Sequence, residues 1–317
     1  MGSVIGYFVR RIGMAISVLI GSTLIAFLLG VIAPGDPARE ALSVNGIQEP
    51  TEEEIAKLRH ELGLDRPLIV QYGGWIWNAL QGDFGKSYIT NESVLDEIIL
   101  RLPVTLNLAL WAVVIAALTG IPIGIWMGAK RHTWIDHLGR AVALLLVSVP
   151  GFLIAIVLIM LFAELWGILP TSGYGTWQQM ILPASVLASG TAAILMRLSR
   201  AVMLEVMNEP YILTARAKGL SEWYIIVVHA LRNMLVPLIT VLGTYFGGIL
   251  GGAVIVEVIF ALPGVGRFAV DGIYKRDYPV IQGYVLFTTF AYVFFNLVTD
   301  LLYVIIHPQV RLGGKNE

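Results

Sequence analysis

The chain contains no cysteine, which excludes disulfides, thiolate chemistry and cysteine-ligated metals. Charge is scarce as well: 14% of the 317 residues are acidic or basic, where soluble domains carry about 25%. Histidine is thin, at positions 60, 132, 137, 229 and 307. Only His132 and His137 share a loop, and a spacing of five without a supporting carboxylate does not suit a metal. Zinc signatures, a serine triad and oxidoreductase motifs are all missing, so neither a catalytic nor a metal site is expected. What is present is apolar: 57% of residues are hydrophobic and mean hydropathy is +0.77. A soluble fold of this size cannot bury that much apolar surface. The composition predicts an all-α polytopic membrane protein.

Six apolar runs approach the roughly 20 residues a helix needs to cross the hydrocarbon core. They are 12–33, 102–129, 141–163, about 180–196, 233–256 and 279–299, the last continuing to 307. Helix is forced, because backbone polar groups in lipid must be satisfied within the segment. Pro122, Pro150, Gly151, Pro183 and Pro237 interrupt these runs and suit a bundle that bends or opens. The first run follows Arg10 and Arg11, exceeds a signal-peptide core in length, and has no small-x-small site behind it. It is expected to stay as the first span.

Basic residues set the expected orientation. A cytoplasmic N-terminus places twelve of the 21 inside, among them Lys130, Arg131, Arg140, Arg197 and Arg200. Six of the other nine lie in or beside segment 34–101, which also carries twelve acids, and long segments weigh little in this count. Both termini are therefore expected inside. The last outer loop is the exception, with Arg267, Lys275 and Arg276 answered by Asp271 and Asp277.

Segment 34–101 is the soluble-looking part and reads as a small extracytoplasmic lid or vestibule. In "TEEEIAKLRHELG", Thr51 and Glu54 form a capping box, and Gly63 supplies a left-handed stop. Ile55, Leu58 and Leu62 make one apolar stripe. Tyr72, Trp75 and Trp77 suit a helix near the membrane interface. "GDFGKS" (82–87) looks like the end of a phosphate loop, but the required earlier glycine is Leu80 and no strand precedes it. Nucleotide is not expected there.

Two carboxylates sit close to apolar runs: Glu257 after the fifth, and Asp300 four residues beyond Asn296 in the sixth. They fit either a proton or cation relay or, as the weightier reading, structural bonds between helices near span ends. Arg197 and Arg200 most simply anchor the inner end of the fourth span.

Between the fourth and fifth runs lies "YILTARAKGLSEWYIIVVHALRN" (211–233). Asn208 can cap a helix, Pro210 fits its first turn, and Gly219 can end it in the left-handed conformation. Ser221 can cap a second helix running through His229 toward Asn233. A short amphipathic pair of this kind either lies in the headgroup region or docks into a partner's groove. Physical chemistry alone leaves both open.

The same stretch, "TARAKGL...HALRNMLVP", resembles the cytoplasmic-loop motif of ABC transporter inner-membrane permeases of the dipeptide/oligopeptide/nickel branch. So, in the branch's order, do "LIAFLLGVIAPGDPA" (24–38), "LGLDRPLIVQYGGWI" (62–76), "RLPVTLNLAL" (101–110), "VIVEVIFALPGVGRF" (254–268) and "NLVTDLLYVIIHPQVR" (296–311). The resemblance implies a type I ABC importer permease fold with six transmembrane helices in a bacterial inner membrane. Its parts are helix 1 within 1–33, the extracytoplasmic segment 34–101, the permease core 102–307 with a coupling loop at 205–233, and a tail at 308–317.

It further implies a second, homologous permease forming a heterodimer, two ATPase subunits that hold ATP and Mg2+, and an extracytoplasmic substrate-binding protein. This chain itself is expected to bind no cofactor and no nucleic acid. Ala215, Arg216, Ala217, Lys218, Gly219, Leu220, His229 and Asn233 become candidate ATPase contacts. Glu257, Pro263, Gly264 and Gly266 become candidates for shaping an outer gate, and Asn296 and Asp300 buried polar groups. Two positions depart from the pattern: Leu213 stands where the general motif has glutamate, and His307-Pro308-Gln309 stands where aspartate-proline-arginine is usual. Cargo is expected to be di- or oligopeptides, with nickel chelates or glutathione as alternatives. A secondary carrier working through Asp300 and Glu257, or a scaffold with no substrate path, is the rival class.

Overall fold

The computed structural model describes residues 2–32, 36–44 and 50–306. In chain order its helices are α1 (Gly2–Ile32), α2 (Pro37–Val44), α3 (Glu52–Glu61), α4 (Leu68–Leu80), α5 (Val94–Ala129), α6 (Trp134–Ser148) and α7 (Gly151–Leu158). There follow α8 (Trp177–Val206), α9 (Pro210–Ala217), the single turn α10 (Glu222–Tyr224), α11 (Leu231–Gly252), α12 (Val254–Ile259), α13 (Val265–Tyr274) and α14 (Tyr278–Ile306). A π-helical stretch extends α7 over Ile159–Leu165, and another joins α10 to α11 over Ile225–Ala230.

Among the described residues, four helical stretches are long and apolar enough to cross a membrane: Gly13–Ile32, Val94–Ala129, Trp177–Val206 and Tyr278–Thr299. The third run, expected as one span over 141–163, is instead broken. α6 and the helix beginning at Gly151 meet at 107°, because Val149 is extended and Pro150 takes the N-cap position of α7. Proline has no N–H with which to continue the hydrogen bonding of α6. The fifth run is also divided, since α11 stops at Gly252 and α12 starts afresh after Ala253. Its described apolar stretch is Pro237–Ile249.

The chain separates into two compact units. One comprises Met1–Thr105 with Pro263–Val293. Here α3 is capped as its sequence dictates: Thr51 Oγ1 accepts from the Glu54 N–H at 3.3 Å, and Glu54 Oε2 accepts from the Thr51 N–H at 2.8 Å. That backbone bond holds the Glu54 carboxyl below its usual range. Gly63 turns the chain at φ +68°. α4 lies on α1, with the Tyr72 and Phe27 rings 5.4 Å apart. Val94, Ile98, Val265 and Val280 form a buried cluster, and the Val265 N–H at the start of α13 donates to Thr105 Oγ1 at 3.0 Å.

"GDFGKS" closes a turn in this unit. Asp83 Oδ1 accepts from the Gly85 N–H at 2.9 Å, and Ser87 donates to Asp277. Asp277 also accepts from the Tyr88 N–H at 3.1 Å. Asp277 is 3% exposed and faces residues 87–88. Burial, only partly offset by the Ser87 and Tyr88 bonds, pushes its pKa up. Burial, and then the Asp277 charge, push Tyr88 up to about 12.

The pH consequence has a definite sign. With its pKa raised, Asp277 keeps its proton in the folded protein over a pH range where the unfolded chain has released it. Its contribution is full below the unfolded value and is lost as pH rises through the folded one. The melting temperature of the wild type relative to Asp277→Asn is therefore expected to be highest at acid pH and to fall toward neutrality. A pH-independent difference in calorimetry over the same range contradicts this.

The second unit comprises Leu106–Leu262 with Phe294–Glu317. Its frame is the contact of α5 with α8. Gly120, Gly124 and Gly128 recur every four residues along one face of α5 and lie directly on α8. A Cβ at Gly120 would sit 2.8 Å from Leu195 Cβ, at Gly124 2.6 Å from Ser199 Cβ, and at Gly128 2.7 Å from Met203 Cβ. Small residues let two helices in lipid approach this closely, where van der Waals packing is the main attraction. α6 packs against both helices, with Ala143 meeting Met127 of α5 and Ala193 and Met196 of α8.

Candidate coupling site

α8 ends at Val206, and a short turn leads into α9 with Pro210 as its first helical residue. Proline is favoured there because the first N–H of a helix has no intrahelical partner. Asn208 does not cap this helix as its sequence position suggested. Its amide donates back to the Leu204 carbonyl at 2.8 Å, and Glu209 occupies the N-cap position without a side-chain bond.

The end of α9 is a Schellman motif. The Gly219 N–H donates to the Arg216 carbonyl at 2.9 Å and the Leu220 N–H to the Ala215 carbonyl at 3.3 Å. Gly219 carries φ +77°, and a Cβ there meets nothing within 4 Å. The glycine is needed for its backbone conformation, not for space. Ser221 then caps the next turn, accepting from the Tyr224 N–H at 3.4 Å. Arg216 and Glu222 bridge the turn through a fork, Nε to Oε1 at 2.7 Å and Nη2 to Oε2 at 3.2 Å. Both ends are solvent-exposed, so the fork fixes geometry and adds only about 0.2–1 kcal/mol.

The second arm is not a separate short helix. It continues through the π-helical stretch directly into α11, since nothing after Ser221 offers a glycine or proline stop before Pro237.

Packing sorts the candidate contact residues. Ala215 is buried beside Ile212 and Ile225, against Met203, Val206, Met234 and Leu238, so it seats the loop on its own bundle. Arg216, Ala217, Lys218, Gly219 and Leu220 are exposed. Large apolar groups sit exposed beside them: Leu213, Trp223 and Tyr224 are 60%, 75% and 47% exposed. The sequence marks Leu213 only as a departure from the motif and does not mark Trp223 or Tyr224, although an apolar residue outside the buried stripe of so short a helix is the available signal. The side chains of His229 and Asn233 lie outside the described residues.

The other candidates are dispersed. Glu257 is fully buried in α12, and its carbonyl accepts from the Leu262 N–H at 2.8 Å. In the other unit, Pro263 is exposed, while Gly264, the N-cap of α13, and Gly266 are buried. Asn296 is half-buried. The side chain of Asp300 and all of His307-Pro308-Gln309 lie outside the described residues.

One polar site went unread. Asp136, lying between His132 and His137, is fully buried and is held from two elements. Arg200 of α8 grips it through Nε to Oδ1 at 2.5 Å and Nη2 to Oδ2 at 2.9 Å. The His132 N–H donates to it at 3.1 Å, and Arg140 Nε stands 3.5 Å away. Arg200 is thus an ion-pair partner, and a carboxylate does stand between His132 and His137. The pair ties α6 to α8 near its C-terminal end.

Helices long and apolar enough to cross a membrane, packed on glycines and a buried ion pair, with an exposed turn between two of them, make this a multi-pass membrane bundle. The profile described as "Binding-protein-dependent transport system inner membrane component" matches residues 120–312, and its N-terminal companion matches residues 4–109. The chain belongs to this family, and is the non-catalytic permease subunit of an ABC importer, a multi-pass inner-membrane protein. A permease of Brucella abortus (strain 2308), whose given name assigns it provisionally to peptide transport, is 42% identical over 95% of this chain and 98% of its own. The glutathione transport system permease protein GsiC of Escherichia coli (strain K12) is 39% identical over 97% of this chain and 99% of its own. In solved structures, a chain of the inward-facing MetNI methionine ABC transporter matches with a TM-score of 0.56 at 17% identity. That match covers 66% of this chain and 95% of the other and shows the fold alone.

Proposed function

We propose that this permease imports short peptides, glutathione-like tripeptides included, as one of two permeases that together enclose the path. On this reading the chain has six spans, with the broken third and divided fifth runs counted as one each. Segment 34–101 lies outside the cell and both termini and the 205–233 loop lie in the cytoplasm. Cargo comes from an extracytoplasmic binding protein, and two ATPase subunits, which hold ATP and Mg2+, receive the exposed turn at Arg216–Leu220. The observation that carries the reading is that turn: a rigid, glycine-ended elbow with exposed apolar residues, continuous with α11 and seated against α8. Glu257 and the Pro263–Gly266 turn remain the proposed elements of an outer gate.

The peptide assignment is supported by what the relatives' names state of them. A path built from two permeases changes state as a unit, biased by nucleotide on one side and loaded binding protein on the other. The test is reconstitution of the full transporter in liposomes with its binding protein and a labelled tripeptide. Accumulation is expected with ATP and absent without it. Accumulation driven by a proton gradient in ATP-free liposomes contradicts the proposal.

A further inference from the structure

We propose that α4 is embedded in the membrane beside α1, with Ile69, Trp77 and Leu80 facing the acyl chains of the adjacent leaflet. The sequence reads α4 as a helix near the membrane interface within a soluble-looking segment, and its contact with α1 points deeper. Tyr72 projects from α4 and bonds Thr23 Oγ1 at 3.0 Å. Thr23 Oγ1 also reaches the Leu19 carbonyl at 2.7 Å, and the Tyr72 hydroxyl lies 3.5 Å from the Ile20 carbonyl. Thr23 stands near the middle of the apolar stretch Gly13–Ile32, about 14 Å below its Ile32 end at 1.5 Å per residue. A side chain of α4 therefore reaches close to mid-membrane, a depth no aqueous lid attains.

The composition of α4 agrees. Its 13 residues, LIVQYGGWIWNAL, carry no charge, while Asp65 and Arg66 precede it and Asp83 and Lys86 follow. Gln71 is satisfied internally, donating to the Leu64 and Arg66 carbonyls at 3.2 and 2.7 Å. The helix is about 20 Å long, too short for the roughly 30 Å hydrocarbon core. With charged residues at both flanks and too little length to cross, it enters and leaves on one side.

The two faces of α4 differ. Tyr72 and Trp75 stack toward Phe27, their own rings 6.2 Å apart, and Gln71, Trp75 and Asn78 line a cavity of about 920 Å³ together with Phe27, Arg59 and Tyr278. Ile69, Trp77 and Leu80, spaced eight and three residues apart, are 81%, 67% and 77% exposed. A soluble partner cannot follow this face down to the depth of Thr23, whereas lipid is already there around α1. On the proposed topology the leaflet is the outer one, and α4 ties the extracytoplasmic segment to it.

The absence of cysteine makes the test direct. Ile69→Cys, Trp77→Cys and Leu80→Cys are introduced singly into the full transporter in liposomes, spin-labelled, and compared with Glu53→Cys on the exposed face of α3. Collision with molecular oxygen, which partitions into lipid, is set against collision with a water-soluble nickel chelate. The expected result is an oxygen-to-nickel ratio several-fold above that of Glu53→Cys at all three α4 positions. A ratio equal to the Glu53→Cys control means the face is in water and overturns the proposal. Low access to both reagents means that protein, such as the second permease, covers it, and overturns the proposal equally. Three independent sites on an exposed face guard against one misfolded variant.

Discussion

Asp136→Ala is expected to cost about 3–5 kcal/mol, the usual effect of removing one partner from a buried ion pair. The variant should purify in reduced yield and melt well below the wild type. The mechanism is the charge left behind. Arg200, 22% exposed, loses both of its 2.5 and 2.9 Å bonds and must stay where the α5–α6–α8 packing holds it. Ser199, its neighbour on α8, is fully buried and lies against Gly124, so the helix cannot rotate the guanidinium into water without breaking the glycine contact. Arg200→Ala should be similarly damaging. The double variant, which strands no charge, should recover part of the loss, because an apolar replacement of both partners is often tolerated. Thermal melting of the four proteins measures the coupling. Additive losses would mean that the pair is incidental to stability.

The second large effect separates folding from transport. Gly219→Val should leave insertion and ATP hydrolysis in place while uptake falls about 5- to 30-fold, the factor that one to two kcal/mol imposes on a two-state ratio. Left-handed backbone costs an L-residue about 1–2 kcal/mol, and a β-branched residue there is a marked outlier. The side chain itself meets open space, so the cost falls on the elbow alone. Gly219→Asn, which tolerates the conformation, should transport nearly normally. Parallel measurement of phosphate release and peptide accumulation checks both. Equal behaviour of the two variants would show that backbone conformation at 219 is not what matters.

Local chemistry was legible in the sequence because it depends on a few adjacent residues. The Thr51–Glu54 capping box, the left-handed stops at Gly63 and Gly219 and the Ser221 cap all stand where residue type put them. Asn208 shows the limit even there. Its side chain had two near neighbours to choose from and took the Leu204 carbonyl. Distance in the chain defeated the rest. Asp136 and Arg200 are 64 residues apart and Ser87 and Asp277 are 190 apart, and in each case a surface position was the natural expectation. A carboxylate beside an apolar run, such as Glu257, is conspicuous in a sequence, whereas Asp136 sits among loop charges and is not. Pro150 announced a break, but only packing decides that the helices part by 107°. For α4 the aromatics announce an interface, and its depth can be read only from what Tyr72 touches.

Docking of the 205–233 loop on an ATPase subunit is most directly tested by a photo-reactive amino acid at position 213 of the otherwise native transporter. Leu213 is 60% exposed and points away from the buried stripe of Ile212 and Ala215. Irradiation should give a covalent adduct of this chain with an ATPase subunit, and ATP should change its yield as the transporter cycles. Adducts with lipid alone, unchanged by ATP, would place the loop in the headgroup region and contradict its role in coupling.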